Sequence, residues 1–226
     1  FELARRGAKG RKALTQTALE GESLLARLHG IWGVGQWARK EAKHLRTLMP
    51  LLEDEALEVK AQMCRVVGDA GYARAEEGLK TLLKDDSLRV RFLAAIALGK
   101  IEAEGALDAI VEMIVENDDE DIYLRHAGVM GLAGCSIEDS DQLLKYAAHK
   151  SQPLRLAAVL ALRRHGNANV SVYLKDEDIF VNGDGTFTED GEARGTALIS
   201  DLDHIGSSVS FGDFDRDGWL DIHTNE

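Results

Sequence analysis

Four aspartates near the end of the chain have the spacing that most clearly points to chemistry. Asp213, Asp215, Asp217 and Asp221 stand at positions 1, 3, 5 and 9 of a D-x-D-x-D-G-x-x-D pattern, with Trp219 at position 7. In a tight loop, alternate side chains direct their oxygens to one centre, and the carbonyl oxygen at position 7 adds a ligand. Calcium accepts about six to eight oxygen ligands in irregular geometry, so these five residues predict a calcium site.

The alternative to a metal site is a solvated acidic loop. Four carboxylates this close repel one another unless a cation lies between them, which favours the metal. Magnesium is disfavoured because it requires a stricter octahedral geometry. An EF-hand is disfavoured because its loop needs glutamate at position 12, where this chain has Thr224.

The residues before this loop repeat a different pattern, two helices joined by a short turn, with a period of about 31 residues. Each copy has a buried-type aliphatic anchor in its second helix: Leu28, Val59, Val90, Leu124 and Leu154. A basic residue follows the anchor in four copies, namely Lys60, Arg91, Arg125 and Arg155. We expect the aliphatic side chain to enter the core and the basic one to tie turns together.

A second apolar segment precedes each of the last four anchors, with the three- and four-residue spacing of an amphipathic helix. These segments span residues 45–52, 79–83, 107–114 and 143–147. Acidic turns such as "KDDSLR" join the two helices and are expected to cap the second one. Gly68, Gly71, Gly99 and Gly166 fall near the ends of second helices, where we expect positive φ.

The segments "DDSLRVRFLAAIALGKI" and "LRHAGVMGLAG" resemble HEAT repeats, especially the short HEAT-like subclass also seen in phycobilin lyases. They also resemble the HEAT segment of large exported bacterial proteins that carry a dehydrogenase-like propeller and c-type haem domains. The resemblance implies a mainly α chain, with a HEAT-like α-solenoid of about five helical hairpins over residues 1–177 whose pattern is clear from about residue 20.

The function implied by this resemblance is a non-enzymatic scaffold that binds another protein on its concave face. The alternative is a non-catalytic fragment of a larger exported redox enzyme, whose catalytic domains lie outside this chain. For either reading, the family favours a periplasmic or secreted location.

After residue 177 the helical pattern stops, and "IFVNGDGTF" has the composition of a β-hairpin. Residues 178–226 resemble one FG-GAP or VCBS-type propeller repeat, including the Phe-Gly-Asp before the acidic loop. That resemblance assigns the calcium to the same five residues of the aspartate loop.

Composition excludes several other classes of protein. Residues 1–49 hold ten basic and four acidic side chains, which we read as a solvated face of the first helices rather than a site for an anionic partner such as nucleic acid. No apolar run reaches the roughly 18 residues of a membrane span. Cys64 and Cys135 are far apart and read as buried structural thiols, and no C-x-x-C motif occurs. The histidines and tryptophans of the repeats, His29, Trp32, Trp37, His126 and His165, read as packing side chains. The chain begins at Phe1, and we expect it to be a piece of a longer protein.

Overall fold

The computed structural model describes residues 3, 6–176, 179–181, 187–189, 209–212 and 221–224. The chain divides into two units, Phe1–Asp176 and Glu177–Glu226. The first unit is helical, and the described parts of the second are short strands. The sequence places the corresponding boundary after residue 177.

The helical unit contains five consecutive helical pairs, which we number as repeats one to five. The second helices, in order, are Leu24–Ala38, Leu57–Asp69, Leu88–Lys100, Ile122–Cys135 and Gln152–Arg164. The first helices are Gly7–Glu20, the 3₁₀ helix Ala42–Glu53, Glu76–Leu82, Leu107–Asn117 and the 3₁₀ helix Ser140–Tyr146. Short 3₁₀ turns, Ala73–Ala75 and Glu104–Ala106, lead into the first helices of repeats three and four. A further 3₁₀ helix, Ala168–Lys175, follows repeat five.

The second helices confirm the repeat that the sequence predicts. All five predicted anchors are buried, with between 0 and 7% of their surface exposed. Full burial of such an aliphatic side chain contributes roughly 1.5–3 kcal/mol to folding. The anchors of neighbouring repeats therefore build one continuous core between the two layers of helices.

Side-chain caps start three of the second helices. The Ser23 hydroxyl accepts a hydrogen bond from the backbone N–H of Ala26, and the Ser151 hydroxyl accepts one from Leu154. The Asp121 carboxylate accepts from both Tyr123 and Leu124, so one acidic turn caps its helix as predicted. Each cap satisfies an N–H group that has no partner inside the helix.

Two of the predicted amphipathic first helices have 3₁₀ rather than α geometry, in repeats two and five. In repeat two, Pro50 lies inside the helix. Proline has no N–H for the α-helical bond, and its ring clashes with the carbonyl four residues earlier. The leucines of this helix still face the core, since Leu45, Leu48, Leu51 and Leu52 are all buried.

The glycines of the second helices have two different roles. Gly71 and Gly166 have φ of 62° and 66° and end their helices as predicted. The prediction of positive φ is wrong for Gly68 and Gly99, which lie within their helices. There the missing side chain instead permits close packing: a Cβ on Gly99 would lie 2.5 Å from the carbonyl oxygen of Met130 in the next second helix.

The strands of the second unit form two antiparallel pairs. Strand β1, Ile179–Val181, pairs with β2, Phe187–Glu189, with Phe180 opposite Thr188. Strand β3, Val209–Gly212, pairs with β4, Asp221–Thr224, with Phe211 opposite Ile222. The resemblance of this unit to a propeller repeat stays a prediction.

We expect Gly134→Ala to destabilise the helical unit by about 1–3 kcal/mol, because overpacking displaces the backbone of a neighbouring helix. A Cβ there would lie 2.0 Å from the carbonyl oxygen of Gly99. The control is Gly105→Ala, whose Cβ would meet only the mobile end of the Glu76 side chain, at 2.5 Å. Urea unfolding followed by circular dichroism measures both, and an equal loss of stability in the two variants would contradict the close-packing interpretation.

Candidate interaction surface

A cation near the start of the second helix links repeats one, two, three and five to the segment that follows them. In repeat three, Arg91 donates through Nε to the carbonyl oxygen of Leu83, at the end of its own first helix, at 3.0 Å. Its guanidinium also lies 3.9 Å from the carboxylate of Glu116 in repeat four. A positive charge is favourable at the carbonyl end of a helix, so each contact stabilises a different repeat. The prediction that these cations tie turns together is confirmed.

The same bridge recurs in repeats two and five. Lys60 forms an ion pair with Asp85 in the turn of repeat three. Arg155 donates to the carbonyl of His149 at 2.8 Å and, through its other terminal nitrogen, to the carboxylate of Asp176 at 3.0 Å. Both side chains of the Arg155–Asp176 pair are nearly buried, with 11% and 7% of their surface exposed.

The sequence alignment of repeat one is wrong by two positions, since it sets His29 rather than Arg27 opposite Lys60. Arg27, which precedes the predicted anchor Leu28, makes the bridge: its Nε donates to the carbonyl of Ala18, and its guanidinium hydrogen-bonds the Asp54 carboxylate at 3.2 Å. The hydrogen-bonded Arg27 holds the pKa of Asp54 below its ordinary value, although burial alone would raise it. Aligning repeats on their glycines, Gly35 with Gly68, would have identified Arg27.

Repeat four departs from the pattern because of the turn that follows it. Arg125 pairs with Asp119 in the turn of its own repeat, with 2.6 Å between nitrogen and oxygen. The turn of repeat five reads "AAHKSQ", and His149 stands at the position that Asp54 and Asp85 occupy in the turns of repeats two and three. Repeat five therefore has no carboxylate at the position that pairs with the cation of the preceding repeat in repeats two and three.

Three second helices are also joined by a row of polar side chains on their exposed side. Trp32 Nε1 donates to the Gln62 side chain at 2.8 Å, and Gln62 donates to Glu58 at 2.8 Å. Arg89 of repeat three donates to both oxygens of Glu58 at 3.2 Å. The Arg89 bond is the largest cause that lowers the pKa of Glu58, and Gln62 adds to it against burial. The Trp32 and Arg89 side chains are thus held in place before any partner binds.

One repeat position forms what we call the central row, the residue five places after the bridging cation. Its members are Trp32, Arg65, Ile96, Met130 and Leu160. All five are exposed or half-exposed, although the neighbouring positions of the same helices are buried. Aromatic, arginine and methionine side chains of this kind are common at protein–protein contacts.

A shallow cleft of about 200 Å³ opens between the second helices of repeats one and two. It is lined on one side by Trp32 and Arg39, and on the other by Arg65 and Asp69. Asp69 also attracts Lys100 from repeat three, with 2.8 Å between the charged atoms. One carboxylate therefore lies among cations from three helices, which makes this end of the surface basic.

The histidines and tryptophans of the repeats contact neighbouring side chains of the solenoid. The rings of His29 and Trp32 lie 5.3 Å apart. His165 is hydrogen-bonded to the buried Ser136 hydroxyl at 3.2 Å. Burial, assisted by Arg164, lowers the pKa of His126. The sequence alignment puts His29 at a position equivalent to the bridging cations of other repeats, whereas in the structure Arg27 has that role.

The two thiols match their predicted structural role. Cys64 and Cys135 are buried, free cysteines. Burial raises the pKa of each thiol to about 12. A thiol is nucleophilic only as the thiolate, so neither side chain is suited to covalent chemistry near neutral pH.

The predicted calcium ligands Asp213, Asp215, Asp217 and Trp219 lie outside the described residues. The remaining predicted ligand, Asp221, begins strand β4 and pairs along the backbone with Gly212. Among the residues that the structure does describe, no group of three or more His, Cys, Asp or Glu side chains is placed to hold a metal. In that same part of the chain, no helix is both long and apolar enough to cross a bilayer.

Comparisons with known proteins agree with this geometry. The family model for HEAT repeats matches residues 45–122. The fold is a HEAT-like α-solenoid. The solved complex of CpcE and CpcF of phycocyanin lyase from Nostoc sp. PCC7120 is similar, with a TM-score of 0.56 and 19% sequence identity. That match covers 71% of this chain and 66% of the other chain, so this chain spans less than two thirds of the length of the protein it matches.

A second similar structure is an engineered protein, with a TM-score of 0.47 and 17% identity over 74% of this chain and 90% of that one. This likeness is too low to support a conclusion. No protein with a curated description matches the chain. None of these matches bears on the predicted exported parent proteins or on the predicted FG-GAP repeat.

We expect Arg155→Gln to destabilise the solenoid by about 3–5 kcal/mol, because it leaves the nearly buried Asp176 carboxylate without its guanidinium. The control is Arg89→Gln, which breaks an inter-repeat pair whose side chains are 58% and 35% exposed. Water screens such a pair, so its loss is expected to cost roughly 0–1 kcal/mol. Thermal and urea unfolding compare the two, and similar losses would show that the bridge of repeat five is not a main support of the stack.

Proposed function

We propose that this protein is a non-enzymatic scaffold that binds another protein on the face formed by its second helices. The central row carries the proposal, since the same half-exposed position recurs in five consecutive helices. Its arginine, tryptophan and methionine supply charge, a rigid aromatic surface and an adaptable apolar side chain. The hydrogen bonds that Trp32 donates to Gln62 and that Arg89 donates to Glu58 hold the Trp32 and Arg89 side chains in position, which reduces the entropy lost on binding.

The packing of the helices supports the choice of this face. The second helices of repeats three and four approach at backbone distance where Gly99 meets Met130 and Gly134. In a stack of helical pairs, the layer with the smaller spacing faces the inside of the curve. We therefore place the concave binding surface, typical of solenoids, on the second helices.

The charged groups of this face support a binding role over a catalytic one. Glu58 and Asp69 are held in ion pairs with cations of neighbouring helices. The similar solved structure is itself a complex of two chains, CpcE and CpcF, which agrees with an interaction role. Nothing in the described residues favours the alternative of an exported redox enzyme, and that alternative stays a prediction.

Site-specific photo-crosslinking tests the scaffold proposal. Benzoylphenylalanine replaces Ile96 or Met130 in the central row, or Glu77 or Glu112 on the exposed side of the first helices. We expect the central-row positions to form a covalent adduct with one protein in extracts of the source cells. Excess unlabelled chain is expected to suppress the adduct.

The competitor variants locate the contact. Arg65→Glu reverses a charge in the central row and is expected to compete poorly, whereas Lys84→Glu makes the same change in the turn that follows the first helix of repeat three and is expected to compete like the parent. Adducts that form equally from first-helix positions, or none from any position, would refute the scaffold proposal.

We also propose a structural calcium site in the second unit. The support is the spacing of Asp213, Asp215 and Asp217, with Asp221 and the carbonyl of Trp219 completing an oxygen shell. The bound ion would offset repulsion among the carboxylates and so stabilise the loop that precedes β4. This proposal is independent of the scaffold proposal.

Calorimetric titration with CaCl₂ is expected to show one site in the parent chain. Asp215→Ala combined with Asp217→Ala removes two of the carboxylates and is expected to abolish the heat. Asp201→Ala combined with Asp203→Ala is the control, since it removes two acidic residues outside the pattern. Equal heats for the loop variant and the parent would exclude the site.

A further inference from the structure

Large aliphatic side chains are exposed at one repeated position along the turn edge of the solenoid. They are the first residues of four consecutive second helices: Leu24, Leu57, Leu88 and Ile122. Their exposed fractions are 47%, 53%, 47% and 59%. In repeat five the same position is Gln152, so the aliphatic series ends there.

An exposed acidic residue precedes each of these aliphatic residues by two positions. The four are Glu22, Glu55, Asp86 and Glu120. In repeat five this position is Lys150, so the acidic series ends at the same repeat as the aliphatic one. We call the eight residues of repeats one to four the acidic–aliphatic row.

The acidic residues of each turn divide into two groups. In the turn of repeat two, Asp54 pairs with Arg27, and in that of repeat three, Asp85 pairs with Lys60. Their immediate neighbours Glu55 and Asp86 form no ion pair within the described part of the chain. In these two turns one acid therefore links neighbouring repeats, while the next one is exposed.

The folding of the helices does not require this row. An acid just before a helix favours its positive end, which gives the carboxylates a local role. An exposed aliphatic residue at the first helical position has no such role, because it neither caps the helix nor enters the core. Exposed large apolar residues that recur at a fixed position are typical of a contact surface.

We propose that the acidic–aliphatic row binds an extended segment of a partner protein that presents one cation and one aliphatic side chain every three residues. Charge complementarity selects a basic segment and argues against nucleic acid. Neighbouring helices are spaced by about 8–10 Å, and a polyproline II chain repeats its side-chain direction every three residues, about 9 Å. One turn of such a segment thus matches one repeat of the solenoid.

This surface is separate from the central row and does not depend on the scaffold proposal for that face. The row lies at the start of the second helices, whereas the central row lies on their middle turns. If Ile96 and Met130 form no crosslink, the proposal for the acidic–aliphatic row is unaffected. If the peptide does not bind, the proposal for the central row is unaffected.

Fluorescence anisotropy with the full chain and a labelled peptide of four Lys-Leu-Pro units tests the proposal. Two variants probe the row: Leu57→Ser with Leu88→Ser removes apolar contact, and Glu55→Lys with Asp86→Lys reverses the charge. Each is expected to weaken binding by about tenfold or more, given the apolar area or the charge pairs lost. All four positions are exposed, so unfolding curves are expected to match the parent.

The matched control is Glu104→Lys with Glu138→Lys, which makes the same change in net charge at exposed positions in the connections that follow second helices. It is expected to bind within about twofold of the parent, since those carboxylates lie outside the row. A peptide of the same composition in scrambled order is expected to bind at least about tenfold more weakly, because it loses the three-residue register.

Three results would each overturn the proposal. One is the absence of saturable binding of the Lys-Leu-Pro peptide at physiological ionic strength. Another is equal loss of affinity in the row and control charge variants, which would indicate attraction to net charge alone. The third is unchanged affinity in the Leu57→Ser, Leu88→Ser chain.

Discussion

The stacking of this solenoid depends on a cation that serves two repeats at once. Near the start of its second helix, Arg91 reaches the carbonyl of Leu83 at the end of its own first helix and a carboxylate of the next repeat. Arg155 likewise reaches the carbonyl of His149 in the turn of its own repeat and the Asp176 carboxylate that follows repeat five. The carbonyl end of a helix carries partial negative charge, and the neighbouring aspartate carries a full one. Because one side chain neutralises both, the angle within a repeat and the contact between repeats are set together.

Close approach of the second helices is the other constraint on the stack. Gly99 and Gly134 leave room for neighbouring backbones, and any larger side chain there would overlap with main-chain atoms. Because small residues occupy the contacts between second helices, the larger side chains of these helices point either into the core or out to solvent. The central row is the outward set, so the same packing that closes the core also leaves a continuous surface available to a partner.

The acidic turns show how one composition supplies two functions. Asp54 and Asp85 are tied to cations, and their neighbours Glu55 and Asp86 extend away from the repeats. Repeat five lacks both acids: His149 stands at the position of Asp54 and Asp85, Lys150 stands at that of Glu55 and Asp86, and Gln152 replaces the exposed aliphatic residue. The edge of the first four repeats is therefore chemically uniform and differs from that of the fifth.

The sequence by itself determined the repeat, the buried anchors and the linking role of the cations, because each follows from local spacing. Only the tertiary structure identified Arg27 as the bridging cation of repeat one, since its partners lie 9 and 27 residues away along the chain. It also showed that Gly68 and Gly99 serve packing rather than helix ends, which depends on the distance to another backbone. Which acid of each turn is paired and which is exposed was likewise decided in three dimensions, because adjacent carboxylates look alike in a sequence and differ only in what lies opposite them.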